Sequence, residues 1–437
     1  MNKNTNLKRI FTPAIIYFCI VILLIFMQHY LNILSMPLSF YTLISIFVFA
    51  LHKIEISTQF LIMLVPFSNA VHIKEIAVFY VFIIFVKIFC AEKEKFGINT
   101  SVLFSFVAVL VLQFASGLRC NDSLATLIYL AAVMGCILLW SRDFFEKEQC
   151  YVFLESYIIA FAFMAIFMIA ITLKMAPMRQ ILNGFVRLGE YSHFEYGAFH
   201  TGANGLGLMS LFSTSIICYL LSRKKIIKAE AVSLLLLFAI TGFLTQSRAF
   251  IVGCLFLVIY LAFFYSTSLL NAVKIIAIVS IACSTVIFII QSLYPNILSH
   301  YVERFLVDDI TNGRADLMTG YFSSLFNDPI SLIFGAGLQT YHNVLGKNVG
   351  YISSHNATQE VILAWGLLGL IAVVVWFVSL VRSRGIANQK GGKMRSLLPL
   401  FILILMVQST RMFRTYSSIF LLGISLFCIN HAEEGSQ

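Results

Sequence analysis

Apolar runs separated by short polar intervals extend from one end of the chain to the other. About fourteen of them approach or reach the ~20 residues that a helix needs to cross a membrane. We place them at residues 10–28, 36–52, 57–71, 74–91, 101–117, 122–140, 150–173, 201–222, 229–246, 247–267, 271–292, 358–381, 396–411 and 415–431. The pattern predicts an all-α, polytopic integral membrane protein of about 12–14 transmembrane helices, with one large loop at about 293–357 and a smaller loop at about 174–200. We expect residues 1–437 to form a single transmembrane domain that contains both loops.

The large loop contains an amphipathic pattern from Arg314 to Phe326. Its apolar stripe consists of Leu317, Met318, Tyr321, Phe322, Leu325 and Phe326. We expect a short helix that lies at a membrane surface, begins after Asn312 as its N-cap, and stops at Asp328-Pro329.

The end of the same loop carries a second helix start. Asn356, followed three residues later by Gln359, resembles a capping box, so His355 is expected immediately outside the next helix. Glu360 then falls in the first turn of that helix. Gly366 and Gly369 follow, and small residues in a membrane helix allow a neighbouring backbone to come close.

Composition supports the membrane assignment and limits the partners. The chain is 60% hydrophobic and 11% charged, with a mean hydropathy of +0.91. Its net charge of +10 is concentrated in short loops that orient helices and meet anionic lipid head groups, so we expect membrane lipids and no nucleic acid as partners. The nine cysteines lie almost all in apolar runs and form no Cys-x-x-Cys pair, which predicts neither disulfides nor a metal site.

The distribution of basic residues predicts the orientation. The first run follows Lys3, Lys8 and Arg9 and lacks a small-x-small cleavage site, as a signal anchor does. With the N-terminus inside, 13 Lys and 6 Arg lie inside and 3 Lys and 8 Arg outside, which accounts for all 30. The positive-inside rule therefore places both termini in the cytoplasm and both long loops outside.

The outer face is enriched in arginine, and planar, bidentate recognition of phosphate needs a guanidinium where topology needs only charge. The outer arginines are Arg119, Arg179, Arg187, Arg248, Arg304, Arg314, Arg411 and Arg414. As a set they predict an anion site, with ordinary ion pairs to loop carboxylates as the alternative.

Arg248 lies in a very short loop between two apolar runs, so its charge is at the membrane boundary. A charged side chain there is energetically costly unless it has a function or a binding partner. The alternative is an arginine that snorkels to head groups.

In the smaller loop, Tyr191 and Tyr196 suit stacking on sugars or, alternatively, an aromatic belt at the interface. Asn204 is expected either to cap the next span or to line a cavity.

Motifs for metal and nucleotide chemistry are absent from the sequence. The loops lack His-Glu-x-x-His, clustered Cys and His, and the phosphate loop Gly-x-x-x-x-Gly-Lys. We therefore expect no metal and no cofactor.

Four pieces of sequence resemble a known family. His355-Asn356, followed after nine residues by Gly366-Leu367-Leu368-Gly369, resembles the His-Asn and Gly-x-x-Gly signature of the O-antigen ligase and polysaccharide polymerase superfamily. Asn312-Gly313-Arg314 and Phe334-Gly335-Ala336-Gly337 stand where that family tends to have a Gly-Arg pair and a Gly-x-Gly turn. Ser247-Arg248 resembles the family's arginine for the pyrophosphate of the lipid-linked substrate.

The resemblance implies a metal-independent, inverting glycosyltransferase in a bacterial cytoplasmic membrane. It would polymerise undecaprenyl-pyrophosphate-linked repeat units of O-antigen, capsule or exopolysaccharide on the outer side, with a chain-length regulator protein as a partner. His355 is the expected general base and Glu360 the alternative base. Arg248, Arg314 and Arg187 are assigned to the pyrophosphate, and Asn204, Asn356, Tyr191 and Tyr196 to the glycan or the cavity.

Three other functions remain open from the sequence. A ligase of the same superfamily would transfer the finished glycan to a lipid A core or a protein. A flippase or other transporter of lipid-linked sugars would place charges inside the membrane, where Lys87 and Glu155 are among the few candidates. A peptidoglycan-type polymerase would use an acidic base, with Asp308 and Asp316 as candidates.

Overall fold

The structure is a computed structural model that describes residues 13–31, 33, 37, 39–91, 99–141, 145–182, 186–189, 202–266, 268–293, 313–383 and 392–429. All regular elements in these ranges are helices. They are α1 (Pro13–His29), α2 (Ser39–Leu51), α3 (Ile54–Leu64), α4 (Ile73–Ala91), α5 (Thr100–Cys120), α6 (Leu124–Trp140), α7 (Lys147–Met175), α8 (Met178–Leu182), α9 (Ala203–Ser222), α10 (Lys228–Leu244), α11 (Arg248–Phe264), α12 (Leu269–Leu293), α13 (Arg314–Phe326), α14 (Pro329–Phe334), α15 (Tyr341–Leu345), α16 (Ala357–Arg382), α17 (Gly392–Val407) and α18 (Ser417–Ile429).

The helices follow the apolar runs of the sequence. Within the described ranges each predicted run coincides with one of α1–α7, α9–α12 and α16–α18. Four of these, α5, α7, α9 and α16, are each long and apolar enough to cross a membrane, and shorter apolar helices accompany them. The prediction of an all-α, polytopic membrane protein is confirmed.

The chain forms two compact units, each with its own membrane helices. The first contains α1–α6, the start of α7 up to Ala160, α13–α16, the 408–416 loop and α18. The second contains the remainder of α7, α8–α12 and α17 up to Met406.

The described part of the large loop packs with α16 around a small core. Its buried members are Tyr321, Leu325, Ala336, Tyr341, Leu345 and Leu363. The predicted stripe on α13 is therefore only partly at a surface: Tyr321 and Leu325 are buried, Phe322 packs against the core, and Met318 and Phe326 are exposed. The N-cap of α13 is Gly313, whose φ of 78° is left-handed, and Asn312 lies outside the described residues.

The turn after α14 is joined to a kink in α16. Gly366 has φ 69° and ψ −165°, which interrupts the helix. Leu363 O and Ala364 O accept hydrogen bonds from Ala336 N at 2.8 Å and from Gly337 N at 2.9 Å. A Cβ on Gly366 would meet Ile333 O at 2.2 Å, which confirms the close backbone approach expected there. Gly369 makes room for a side chain of its own helix and not for a neighbouring backbone, because a Cβ there would meet Trp365 at 2.1 Å.

Polar residues at the end of α5 hold this turn in place. Gln113 Oε1 accepts hydrogen bonds from Trp365 Nε1 at 2.7 Å and from Leu338 N at 3.3 Å. Arg119 Nη2 donates to Gly335 O and, at 2.8 Å, to Ser331 Oγ. Arg119 thus acts as a structural brace between α5 and α14, because it satisfies a carbonyl in a turn that has no helix to pair with.

Candidate active site

The segment just before α16 is fixed by hydrogen bonds on each side of His355. Tyr321 Oη donates to Ile352 O, and Tyr341 Oη accepts from Ser354 N at 3.1 Å. Ser354 Oγ donates to Gln359 Oε1 at 2.8 Å. The backbone that carries His355 is therefore held by two tyrosines of the loop core and by the first turn of α16.

Asn356 is the N-cap of α16, as predicted. Its Oδ1 accepts Gln359 N at 2.9 Å, and its Nδ2 donates to Gln408 O at 3.1 Å. Gln359 does not complete the reciprocal capping box, because its side chain is bonded to Ser354. Asn356 thus connects the helix start to the 408–416 loop, and its predicted contact with glycan stays a prediction.

His355 is partly buried, and within the described residues its imidazole makes no hydrogen bond. Burial, together with the positive charges of Arg411 and Arg314, lowers the pKa of His355 from its ordinary value to about 4, and burial is the largest of these causes. The imidazole is therefore neutral at ordinary pH and has a free nitrogen lone pair. A neutral imidazole with a free nitrogen is able to accept a proton from a substrate.

Arg411 lies between α17 and α18, close enough to His355 for its charge to act there. Its Nε is buried and has no hydrogen-bond partner within the described residues. Buried polar groups are nearly always paired, so an unpaired guanidinium N–H beside a candidate base indicates a place for an anion or an acceptor group.

Arg314 is the first residue of α13 and is half-buried. Its charge also lowers the pKa of His355. The structure therefore brings together one predicted base, one predicted anion ligand, and Arg411, which the sequence placed only in the general set of outer arginines.

Glu360 is fully buried, and both of its carboxylate oxygens are engaged. Oε2 accepts Met412 N at 2.8 Å and Phe413 N at 2.9 Å, and Oε1 accepts Arg414 N at 3.0 Å. Burial raises the pKa of Glu360, the three backbone N–H groups act against that rise, and their hydrogen bonds fix the loop that donates them. The geometry favours Glu360 as a positioning residue for the 408–416 loop, and its predicted role as an alternative base stays a prediction.

Arg414 joins that loop to the segments on either side of α15. Its Nε donates to Gln339 Oε1 at 2.8 Å, and its Nη1 donates to Ser353 Oγ at 2.6 Å. The same Nη1 lies 3.4 Å from His342 Nδ1. Burial and the nearby charges of Arg414 and Arg411 lower the pKa of His342. Arg414 is thus bonded to protein partners, whereas Arg411 Nε has none within the described residues.

The second unit gathers three of the predicted residues at the turn between α10 and α11. Ser247 Oγ caps α11 and donates to Asn204 Oδ1 at 2.9 Å. Arg187 Nε donates to Thr245 O at 3.0 Å. Arg248 is the first residue of α11 and is half-buried. Asn204 does not cap α9, whose N-cap is Gly202; its oxygen is held by the turn instead.

Some predicted residues fall outside this description. Tyr191, Tyr196 and Asp308 lie outside the described residues. Asp316 is exposed in the first turn of α13. Within the described ranges there is no group of three or more His, Cys, Asp or Glu residues arranged to hold a metal ion.

Residues 231–374 match the family model described as O-Antigen ligase. The match confirms, over that range, the resemblance to the O-antigen ligase and polysaccharide polymerase superfamily, and it supports a function of the ligase or polymerase type. Arg248, Arg314, His355 and Glu360 all fall inside the matched range, whereas Arg411 lies beyond it. No curated protein matches the chain.

Proposed function

We propose, on the premise that residues 231–374 match the O-antigen ligase family, that this protein transfers glycan from a lipid-diphosphate donor. The donor is an undecaprenyl-diphosphate-linked oligosaccharide, and the acceptor is a second such unit, so that the protein polymerises repeat units. The main observation is the neutral imidazole of His355 within the electrostatic reach of Arg411 and Arg314, together with the buried Arg411 Nε, which has no hydrogen-bond partner within the described residues.

The reaction follows from this arrangement. An acceptor hydroxyl oxygen forms a bond to the anomeric carbon of the donor, and the bond from that carbon to the diphosphate oxygen breaks. His355 takes the hydroxyl proton and later releases it to water. The lipid diphosphate leaves with the bonding electron pair, and attack opposite to it inverts the anomeric configuration.

Arg411 and Arg314 supply the stabilisation that this leaving group needs. Charge develops on the diphosphate as the glycosidic bond breaks, and guanidinium groups already in place stabilise that charge without reorganisation. Anion binding also changes the base, because negative charge offsets the two arginines that lower the pKa of His355. Donor binding therefore makes His355 a stronger base when it is needed.

The expected role of Arg248 and Arg187 as pyrophosphate ligands rests on the resemblance of Ser247-Arg248 and is a separate prediction for the second unit. The hydrogen bond from Ser247 to Asn204 and that from Arg187 to Thr245 give this turn a fixed shape. The positive-inside distribution of lysine and arginine supports the outer side of the cytoplasmic membrane for the reaction.

Ligation is the second candidate, because the matching family is described as O-antigen ligase. A ligase would use the same donor and the same base with a lipid A core or a protein as acceptor. Transport is less well supported, because Lys87 has a structural use: its Nζ donates to Phe49 O and His52 O at the end of α2.

The test uses purified protein in detergent with lipid-diphosphate-linked repeat units as substrate, followed by chain growth and release of lipid diphosphate. His355→Ala should still bind the donor but react on the order of 10² to 10⁴ times more slowly, because a general base contributes mainly in the transition state. His52→Ala is the matched control: its Nε2 lies 3.2 Å from Tyr17 Oη, neither residue has a role in the proposed reaction, and the variant should react normally.

The outcomes separate the alternatives. Reaction only after a lipid A core is added identifies the ligase. Undiminished transfer in His355→Ala refutes the base assignment. No product from folded protein that binds donor in the presence of both acceptors refutes glycosyl transfer.

A further inference from the structure

Two helices of the predicted external loop expose apolar side chains. Met318 and Phe326 on α13 and Ile330, Ile333 and Phe334 on α14 form what we call the seated face. Phe326 is 70% exposed and Ile330 57% exposed. Soluble surfaces rarely present so many large apolar groups together without a partner.

The position of the seated face along α16 identifies its surroundings. The uninterrupted apolar run of α16 begins at Val361 and continues to Val378, which gives a membrane span. Tyr321 and Leu325 of α13 share a core with Leu363, and Ile333 of α14 lies against Gly366. At 1.5 Å per residue these contacts lie roughly 3 to 8 Å beyond the start of the run. Both loop helices are thus level with the outermost part of the membrane core.

Exposed apolar side chains on the helices beside α14 support this depth in the membrane. On α16, Leu367, Leu368 and Ile371 follow the kink directly and are exposed, as side chains that face lipid are. On α5, Leu118 is 68% exposed next to Arg119, the residue that holds Ser331 and Gly335. The apolar surface of α14 therefore continues that of two membrane-spanning helices.

We propose that the seated face of α13 and α14 is inserted among the acyl chains of the adjacent membrane leaflet. The occupant is bilayer lipid, because all five side chains of the seated face are large and apolar and lie at the depth where acyl chains begin. An interfacial helix typically buries its apolar face about 5–10 Å into the boundary between head groups and acyl chains. Insertion to that depth keeps the polar start of α13 at head-group level.

The functional meaning of this insertion rests on the proposed function. Arg314, the first residue of α13, would then lie at the level of membrane phosphates, where the diphosphate of a lipid-linked donor is found. The membrane itself would set the height of Arg314 relative to the donor.

The test places an environment-sensitive fluorescent amino acid at Phe326, Ile330 or Ile333, which leaves the nine native cysteines untouched. Each full-length variant is reconstituted into phosphatidylcholine vesicles, and its fluorescence is quenched either by lipids with a nitroxide near the top of the acyl chain or by aqueous iodide. Asn343 and Lys347, exposed polar positions in the same loop, are the controls, and Ile371 of α16 is the lipid reference.

We expect labels at Phe326, Ile330 and Ile333 to be quenched by the nitroxide lipid, as Ile371 is, and several-fold less by iodide. Labels at Asn343 and Lys347 should show the reverse order. If either Phe326 or Ile333 behaves like Asn343 in a protein that elutes as a single folded species, the proposal is wrong. No substrate is present, so this result is independent of the glycosyl transfer assay.

Discussion

The backbones at Gly335 and Gly366 lie against each other, so that neither residue has room for a side chain. A Cβ on Gly335 would meet Ala364 C and O at 2.2 Å, and a Cβ on Gly366 would meet Ile333 O at 2.2 Å. Both glycines also have positive φ, at 77° and 69°. Two glycine motifs that stand far apart in the sequence are therefore the two sides of one contact.

Gly366→Ala should destabilise the protein by roughly 3 kcal/mol or more, because a left-handed backbone strain adds to a clash with backbone atoms that cannot move aside. The measurement is the thermal midpoint of the purified protein. Gly205→Ala in α9 is the control, since its Cβ would meet nothing within 4 Å. A Gly366→Ala protein as stable as Gly205→Ala would contradict the contact.

The pH dependence of glycosyl transfer should report the unusual environment of His355. Its pKa of about 4 means that the free enzyme keeps an unprotonated base down to about pH 5, so kcat/KM should be flat from pH 8 to pH 5. The acid limb of kcat should lie at a higher pH than that of kcat/KM. The negative charge of bound diphosphate offsets the positive charges of Arg411 and Arg314 and so raises the pKa of His355. A kcat/KM limb near pH 6.5 in the wild-type protein would argue against a buried His355 as the base.

Lysine substitutions separate charge from guanidinium geometry. Arg314→Lys, Arg411→Lys and Arg248→Lys should each lower kcat/KM by about 10- to 100-fold, since each loses charge-assisted hydrogen bonds worth about 1.5–3 kcal/mol. Arg179→Lys is the control because Arg179 is exposed on α8. Arg119 is unsuitable as a control, because it braces Gly335. Wild-type kinetics in Arg314→Lys and Arg411→Lys, at equal folded protein, would refute the anion site near His355, and wild-type kinetics in Arg248→Lys would refute the separate prediction for Arg248.

Glu360→Gln distinguishes positioning from proton transfer. The amide can accept at one oxygen only, so the backbone N–H groups of Met412 and Phe413 or that of Arg414 should lose their acceptor and exchange with deuterium faster. Activity should fall through displacement of Arg411, and the acid limb should be kept but move to higher pH, because the charge of Arg411 is one of the causes that lower the pKa of His355. Glu230→Gln, at an exposed site on α10, should alter neither. Unchanged amide protection together with a lost acid limb would instead identify Glu360 as the base.

The fold was largely predictable, because membrane helices are encoded by local apolar runs. Each run from 10–28 to 415–431 coincides with a helix within the described residues. The cap at Asn356 was predictable for the same reason, since its partner Gln359 is only three residues away. These features need no knowledge of how distant segments meet.

The site was less predictable, because its geometry depends on contacts between distant segments. Glu360 looked like a candidate base, and only its three bonds to residues 412–414 reveal the loop that it positions. Arg411 and Arg414 look alike in sequence, yet Arg414 is bonded to Gln339 and Ser353 while Arg411 Nε has no partner within the described residues. An arginine pair in a short loop between two spans was the available signal, and it did not tell the two apart.

Gln113 and Arg119 of α5 are synthesised well before the residues that they bind. Gln113 is separated from Trp365 by 252 positions and Arg119 from Gly335 by 216. At about 5–20 residues per second, a ribosome needs roughly 10 to 50 s to make the intervening chain. During that interval α5 is in the membrane with a polar amide and a guanidinium that have not met their final acceptors and donors. A nascent chain that stalls before α16 should therefore hold Gln113 in α5 without its donor on Trp365.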